Sequence, residues 1–229
     1  MSLIRVLVVL SAAFLSGCAT GGLDWIGGFH PVNDADRARY AALPNERFPL
    51  KAVDLAKLDP KYRRQVVRFP TSEPPGTIVV DTPNRYLYLV TGEGRALRYG
   101  IEVGREGFGW NGTATIARKA IWPTWTPPPE MVKRDPRTAP FAGGMPGGPE
   151  NPLGSRALYL YQNGRDTLYR IHGGGKPSTL GKATSSGCIR LLDHDVIDLY
   201  ERVPNGARTV VMPDPLLSHV PASSAEGPA

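Results

Sequence analysis

From Gly76 onward the sequence is written in short apolar runs separated by turn residues. Thr77-Ile78-Val79-Val80-Asp81 gives way to Thr82-Pro83-Asn84, and residues 85–90 resume with Tyr86 and Tyr88 in alternation. A third run, 97–103, follows the Gly92/Gly94 turn. β-Branched and aromatic residues at period two suit a pleated, half-buried surface, and the Pro, Gly and Asn between them divide it into hairpins. These runs predict a β-meander. Residues 113–121, 157–161, 167–171, 187–192 and 208–212 read as further short strands. Helical spacing is well marked once. Val196, Leu199, Tyr200 and Val203 fall at i, i+3, i+4 and i+7, Asp193 stands where it can cap, and Pro204 and Gly206 stop the run. The expectation is a strand-rich region from Gly76 with a short helix after Cys188.

The flanks and one insertion have a different character. Between about 122 and 155 the chain runs WPTWTPPPEMVKRDPRTAPFAGGMPGGPENPLG. A connection this long inside a domain is usually functional or disordered, and the paired Trp122 and Trp125 argue against plain disorder. Residues 18–75, Pro-interrupted and with a helical patch at 34–43, read as a tether and an N-terminal strap on the domain. Residues 214–229 read as a flexible tail. At the start, Arg5 precedes an apolar run over 6–15. That run is far shorter than the roughly 20 residues of a spanning helix and reads as the core of a secretory signal over 1–17. Leu15-Ser16-Gly17-Cys18 is similar to the lipobox of bacterial lipoproteins. This implies lipidation of Cys18, a membrane partner through a lipid anchor, and the periplasm as compartment. Ala19 after the cysteine would favour the outer membrane. Ordinary cleavage after Ala19 is the alternative.

The net charge of +6 and pI near 9.4 invite a nucleic-acid reading. The Lys and Arg residues are scattered, however, without the basic stripe or aromatic platform such binding uses. Nucleic acid is therefore excluded as a partner, and an anionic envelope neighbourhood fits the excess of cations better.

If Cys18 carries lipid, Cys188 is the one thiol left in a two-cysteine chain, so it is either reactive or buried. In an extended 187–192, Cys188, Arg190 and Leu192 share one face, and Ile189 and Leu191 share the other. A cation beside a thiol favours the thiolate and can hold a substrate carboxylate. An unperturbed thiol, with pKa about 8.5, also gains from a base. The candidate base is His172, which ends the run before Gly173-Gly174-Gly175, where backbone can approach a ligand closely. The other histidines lie elsewhere: His30 in the strap, His194 at the helix start, His219 in the tail. Taken singly, Cys188 also reads as a buried apolar side chain and His172 as a satisfied strand-end residue.

Taken together, His172-Gly173 followed by Ser185-Ser186-Gly187-Cys188-Ile189-Arg190-Leu191 resembles the signature of L,D-transpeptidases of the YkuD-domain type. Val103-Gly104-Arg105-Glu106-Gly107, the segment from Trp122-Pro123 to Pro127-Pro128, and Gly148-Pro149-Glu150-Asn151-Pro152-Leu153-Gly154 resemble members from Gram-negative envelopes, and the likeness covers roughly 76–212. It implies a β-rich catalytic domain over 76–213, with mixed β-sheets or a β-sandwich and a short helix after the cysteine, acting on peptidoglycan stem peptides without metal or organic cofactor. Cys188 would be the nucleophile, His172 its base, and the Gly173 carbonyl the orienting group. Ser185, Ser186, Gly187 and Arg190 would contact substrate, while Trp122 and Trp125 would form a lid or wall. The acceptor could be a second stem, an envelope protein or water. One departure stands out: Ser186 occupies a position where the family commonly has His, which leaves the catalytic pair intact but puts rate or substrate preference in question. A catalytically weak wall-binding lipoprotein is the alternative. Other chemistries lack their residues. Cys188, His172 and His194 are too few for a metal site, and Gly175-Lys176-Pro177 lacks the hydroxyl residue of a phosphate loop.

Overall fold

The computed structural model describes residues 31–105, 110–185 and 187–213. The expected signal segment, Cys18, Ser186 and the tail 214–229 lie outside the described residues. The strands are β1 (Gln65–Arg68), β2 (Ile78–Asp81), β3 (Tyr86–Gly92), β4 (Arg95–Gly100), β5 (Val103–Gly104), β6 (Gly112–Ile121), β7 (Arg156–Gln162), β8 (Arg165–His172), β9 (Ala183–Ser185), β10 (Ile189–Arg190) and β11 (Arg208–Val211). The helices are α1 (Asp34–Arg39), α2 (Pro129–Arg134) and α3 (Asp193–Arg202). Among the described residues nine strands form one sheet in the order β1-β4-β3-β2-β11-β6-β7-β8-β10, and β5 pairs with β9 apart from it. The sheet is mixed: β11 runs parallel to β2 and β10 parallel to β8, while the other pairs are antiparallel.

The expected meander is β2-β3-β4. Its alternation does the folding work: Leu87 and Leu89 are buried while Tyr86 and Tyr88 remain half exposed. Inward residues from along the sheet (Ile78, Val80, Leu158, Leu160 and Ile171) form one core with Val196 and Leu199 of α3 and with Val203, which ends it. Burying such a side chain contributes about 1.5–3 kcal/mol, so the apolar stripe fixes which face of α3 turns inward.

Four details differ from the sequence reading. The run 97–103 is broken after Gly100, because Glu102 leaves the meander to bridge Arg190 while Val103 pairs with Ala183. The run 187–192 is a strand only at Ile189–Arg190, and Gly187 and Cys188 form a bend before it. Asp193 does not cap α3; the N-cap is Leu192, with no side-chain bond, and the Asp193 carboxylate turns elsewhere. The strap contributes β1, an edge strand on β4.

The long insertion is ordered through backbone and one side chain. It contains α2, a 3₁₀ turn over Pro136–Phe141 and a two-way backbone pairing of Trp125 with Met145. Asn151 ties it down: its Nδ2 faces the carbonyls of Pro123, Met145 and Pro146 at 3.0 Å each, and its Oδ1 accepts from Leu153 N–H.

Candidate active site

Parallel pairing of β8 with β10 sets the site. Arg190 is in register with His172, and Ile189 with Ile171. Both isoleucines are buried in the core, so His172 and Arg190 lie together on the opposite face. Cys188 comes one residue before β10, abreast of Arg170. The bend at Gly187 needs φ = 138°, which glycine alone adopts without strain. Ser185 fixes that bend: its Oγ donates to the Cys188 carbonyl at 2.7 Å and accepts the Gly187 N–H at 3.2 Å. Ser185 is thereby a buried turn-former, and Ser186 lies outside the described residues.

His172 is buried, and its Nδ1 sits 2.8 Å from the Gly173 carbonyl oxygen. Since a carbonyl only accepts, Nδ1 carries the hydrogen and Nε2 keeps its lone pair. Burial, reinforced by the Arg190 charge, lowers the imidazole to a pKa of about 3, against a weaker pull from the Gly173 and Leu153 carbonyls. Burial likewise pushes the Cys188 thiol up; the Arg170 backbone N–H and the charges of Arg170 and Arg190 oppose it. At rest the thiol and the imidazole are both uncharged.

The two nearby cations have carboxylate partners of their own. Arg190 Nη1 reaches Glu102 Oε1 at 3.0 Å, and that same oxygen accepts from Thr184 Oγ1 at 2.6 Å. Arg170 makes a two-pronged ion pair with Asp166, at 2.7 and 2.8 Å, and lies over the Tyr159 ring. The tryptophans divide. Trp122 is buried, its Nε1 donating to Glu46 at 3.0 Å and its ring meeting Phe48 edge-on, so its indole is closed off beneath the strap. Trp125 is half exposed beside Phe141. Among the described residues no group of three or more His, Cys, Asp and Glu stands where it could hold a metal ion.

Sequence reasoning missed Glu102, Arg170 and Asp193. Arg170 was within reach, since it sits two residues before His172 on the same strand face. Glu102 carried a weaker signal, a lone carboxylate in an apolar run.

A bent Cys loop against a strand-end His-Gly, on a mixed sheet, defines the class to which the comparisons point. Residues 75–212 match the family model described as the L,D-transpeptidase catalytic domain, YkuD, and the chain belongs to that family. The probable L,D-transpeptidase YbiS of Escherichia coli K12 is 34% identical over 145 residues, covering 62% of this chain and 45% of that protein. The chain thus spans less than half the length of that relative. A putative L,D-transpeptidase encoded in the ATP synthase subunits region of Fuscovulum blasticum is 32% identical over 138 residues, covering 59% of this chain and 68% of that one. A crystal structure from Brucella melitensis, described as a probable carnitine operon oxidoreductase, is 50% identical, covers 69% of this chain and 99% of its own, and has a TM-score of 0.47.

Proposed function

We propose that the protein is a peptidoglycan L,D-transpeptidase working through an acyl-enzyme on Cys188. The observation that carries this reading is the 2.8 Å contact of His172 Nδ1 with the Gly173 carbonyl. It sets the tautomer in which Nε2 is a base, on a residue in register with the strand that follows Cys188. In the proposed reaction Nε2 takes the thiol proton as the sulfur attacks the carbonyl of the third residue of a tetrapeptide stem. The Cys188 N–H is the proposed oxyanion donor, since the Gly187 N–H is already given to Ser185. The imidazolium returns its proton to the departing D-alanine amine, leaving a thioester. An amine of a second stem, or a lysine of an envelope protein, then attacks the thioester, losing a proton to Nε2 as the thiol is regenerated. With water as acceptor the same intermediate gives L,D-carboxypeptidase activity. The half-buried Arg190, paired with Glu102, would act on the pair through its charge.

The test is incubation of the soluble domain with tetrapeptide muropeptides, followed by mass spectrometry. Release of D-alanine together with a Cys188-linked acyl adduct is expected, and product identity names the acceptor. Absence of both would overturn the enzyme reading in favour of a wall-binding protein. We also propose anchoring through lipidated Cys18 at the periplasmic face of the outer membrane. Cys18→Ala should then move the protein from the membrane to the soluble fraction.

A further inference from the structure

Asp193 opens α3 but gives its carboxylate away from the helix. Its Oδ1 accepts the Ser155 N–H at 2.7 Å and faces the Gly174 N–H at 3.3 Å. These amides belong to two loops that are laced together, since Gly173 N–H is shared between the Leu153 and Arg156 carbonyls at 3.0 and 3.1 Å. The packing leaves no slack: a Cβ on Gly173 would fall 2.2 Å from Asp193 Oδ1, and one on Gly154 would fall 2.5 Å from it. Gly173 is the residue whose carbonyl holds His172 Nδ1. One oxygen therefore holds the Gly173–Gly174 peptide plane, whose carbonyl sets the tautomer of the base, and ties it to the Ser155 amide of the facing loop.

We propose that Asp193 is a positioning residue for His172, acting through the Gly173 carbonyl. The proposal rests on the acyl-enzyme reading for its kinetic consequence but not for its structural one. A carboxylate suits the place twice over: it accepts two N–H groups with charge assistance, and it stands in the first turn of a helix, where negative charge is favoured.

The test compares Asp193→Ala and Asp193→Asn with the wild-type chain by three measurements. These are the His172 imidazole nitrogen shifts by NMR, the rate and saturation constants for acylation of Cys188 by a carbapenem, and the thermal midpoint. The Asn side chain keeps an acceptor oxygen in place, so Asp193→Asn should retain the Nδ1–H tautomer and most of the rate. Asp193→Ala should mix the two tautomers and slow acylation by about 10–100-fold, the range for loss of a group that orients a functional ligand, with the saturation constant nearly unchanged. If Asp193→Ala does not fold, Asp193→Ser, a polar side chain one atom too short to bring an oxygen to both amides, takes its place with the same expectation. The proposal is overturned if the variant lowers only the thermal midpoint while tautomer and rate stay put. It is equally overturned if Asp193→Asn loses as much as Asp193→Ala. Should the wild-type chain fail to acylate, the enzyme reading falls, and the nitrogen shifts still decide the role of Asp193.

Discussion

Helix α3 adjoins two buried polar clusters that handle burial in opposite ways. Toward the strap, Arg64 meets Asp198 at 3.0 Å and Asp195 at 3.8 Å, Tyr40 donates to Asp195 at 3.3 Å, and Tyr99 donates to Asp198 at 2.7 Å. His194 adds a contact with the Ala41 carbonyl at 2.8 Å. Asp195 is fully buried, and burial pushes it up to about 7 with the Arg64 charge opposing. That cluster holds its carboxylates in fixed partnership with Arg64 and two tyrosine hydroxyls. At the site the thiol and imidazole are kept neutral, while each neighbouring cation is tied to its own carboxylate. Charges that only need to stay in place can be buried with partners. A pair that must pass a proton is better buried uncharged, so that charge develops only when substrate arrives.

The sharpest way to break the comparison is to remove a group from each cluster. Cys188→Ala should abolish acylation, a loss of at least about a thousandfold, with the thermal midpoint unchanged; acylation assays and melting curves read the two. Arg64→Ala should do the reverse. It takes the cation from the fully buried Asp195, leaving Asp198 to Arg202, and should cost about 3–5 kcal/mol of stability, seen in denaturant melts, with the acylation rate of the folded fraction unaltered. An equal loss of rate would show that the strap cluster serves the site.

The pH dependence separates the clusters more finely. Asp195 is raised from 3.8 to about 7, so its contribution is full below 3.8 and is lost as pH rises through about 7. Asp195→Asn should therefore flatten the decline in stability between those limits. His172 is lowered from 6.5 to about 3, so its contribution is present above 6.5 and is lost as pH falls toward 3. His172→Gln should remove that acid-side loss. The smallest effect expected is no effect: the His172 ring resonances should stay flat from pH 8 to 5, and a midpoint near 6.5 would mean an exposed, ordinary imidazole.

Much of this was legible in the residues. Strands β2 and β7, buried on both faces, were legible as continuous apolar runs, while period-two alternation located strands such as β3, which bury one face. The α3 stripe was legible for the same reason at helical period. Cys188, His172 and Gly173 stood out through residue type and order. The bend at Gly187–Cys188 was not legible, because an apolar-polar run such as Cys-Ile-Arg-Leu looks the same whether or not it starts one residue late. Trp122 read as a substrate wall because an indole in a Pro-rich loop gives no hint that Glu46 and Phe48 fold over it. Asp193 read as a cap because the sequence places it at a helix start, and only the fold brings Ser155 and Gly174 within its reach.

The sequence by itself determined a β-rich domain with one marked helix, and a cysteine and histidine in the order that the L,D-transpeptidase family shares. These rest on local spacing and residue chemistry, which the chain carries wherever it folds. Tertiary structure alone decided the partners of the charges: Arg190 with Glu102, Arg170 with Asp166, Arg64 with Asp195 and Asp198. It alone decided that thiol and imidazole rest neutral. Burial and Coulomb terms depend on distances across strands far apart in sequence, and no local pattern encodes them.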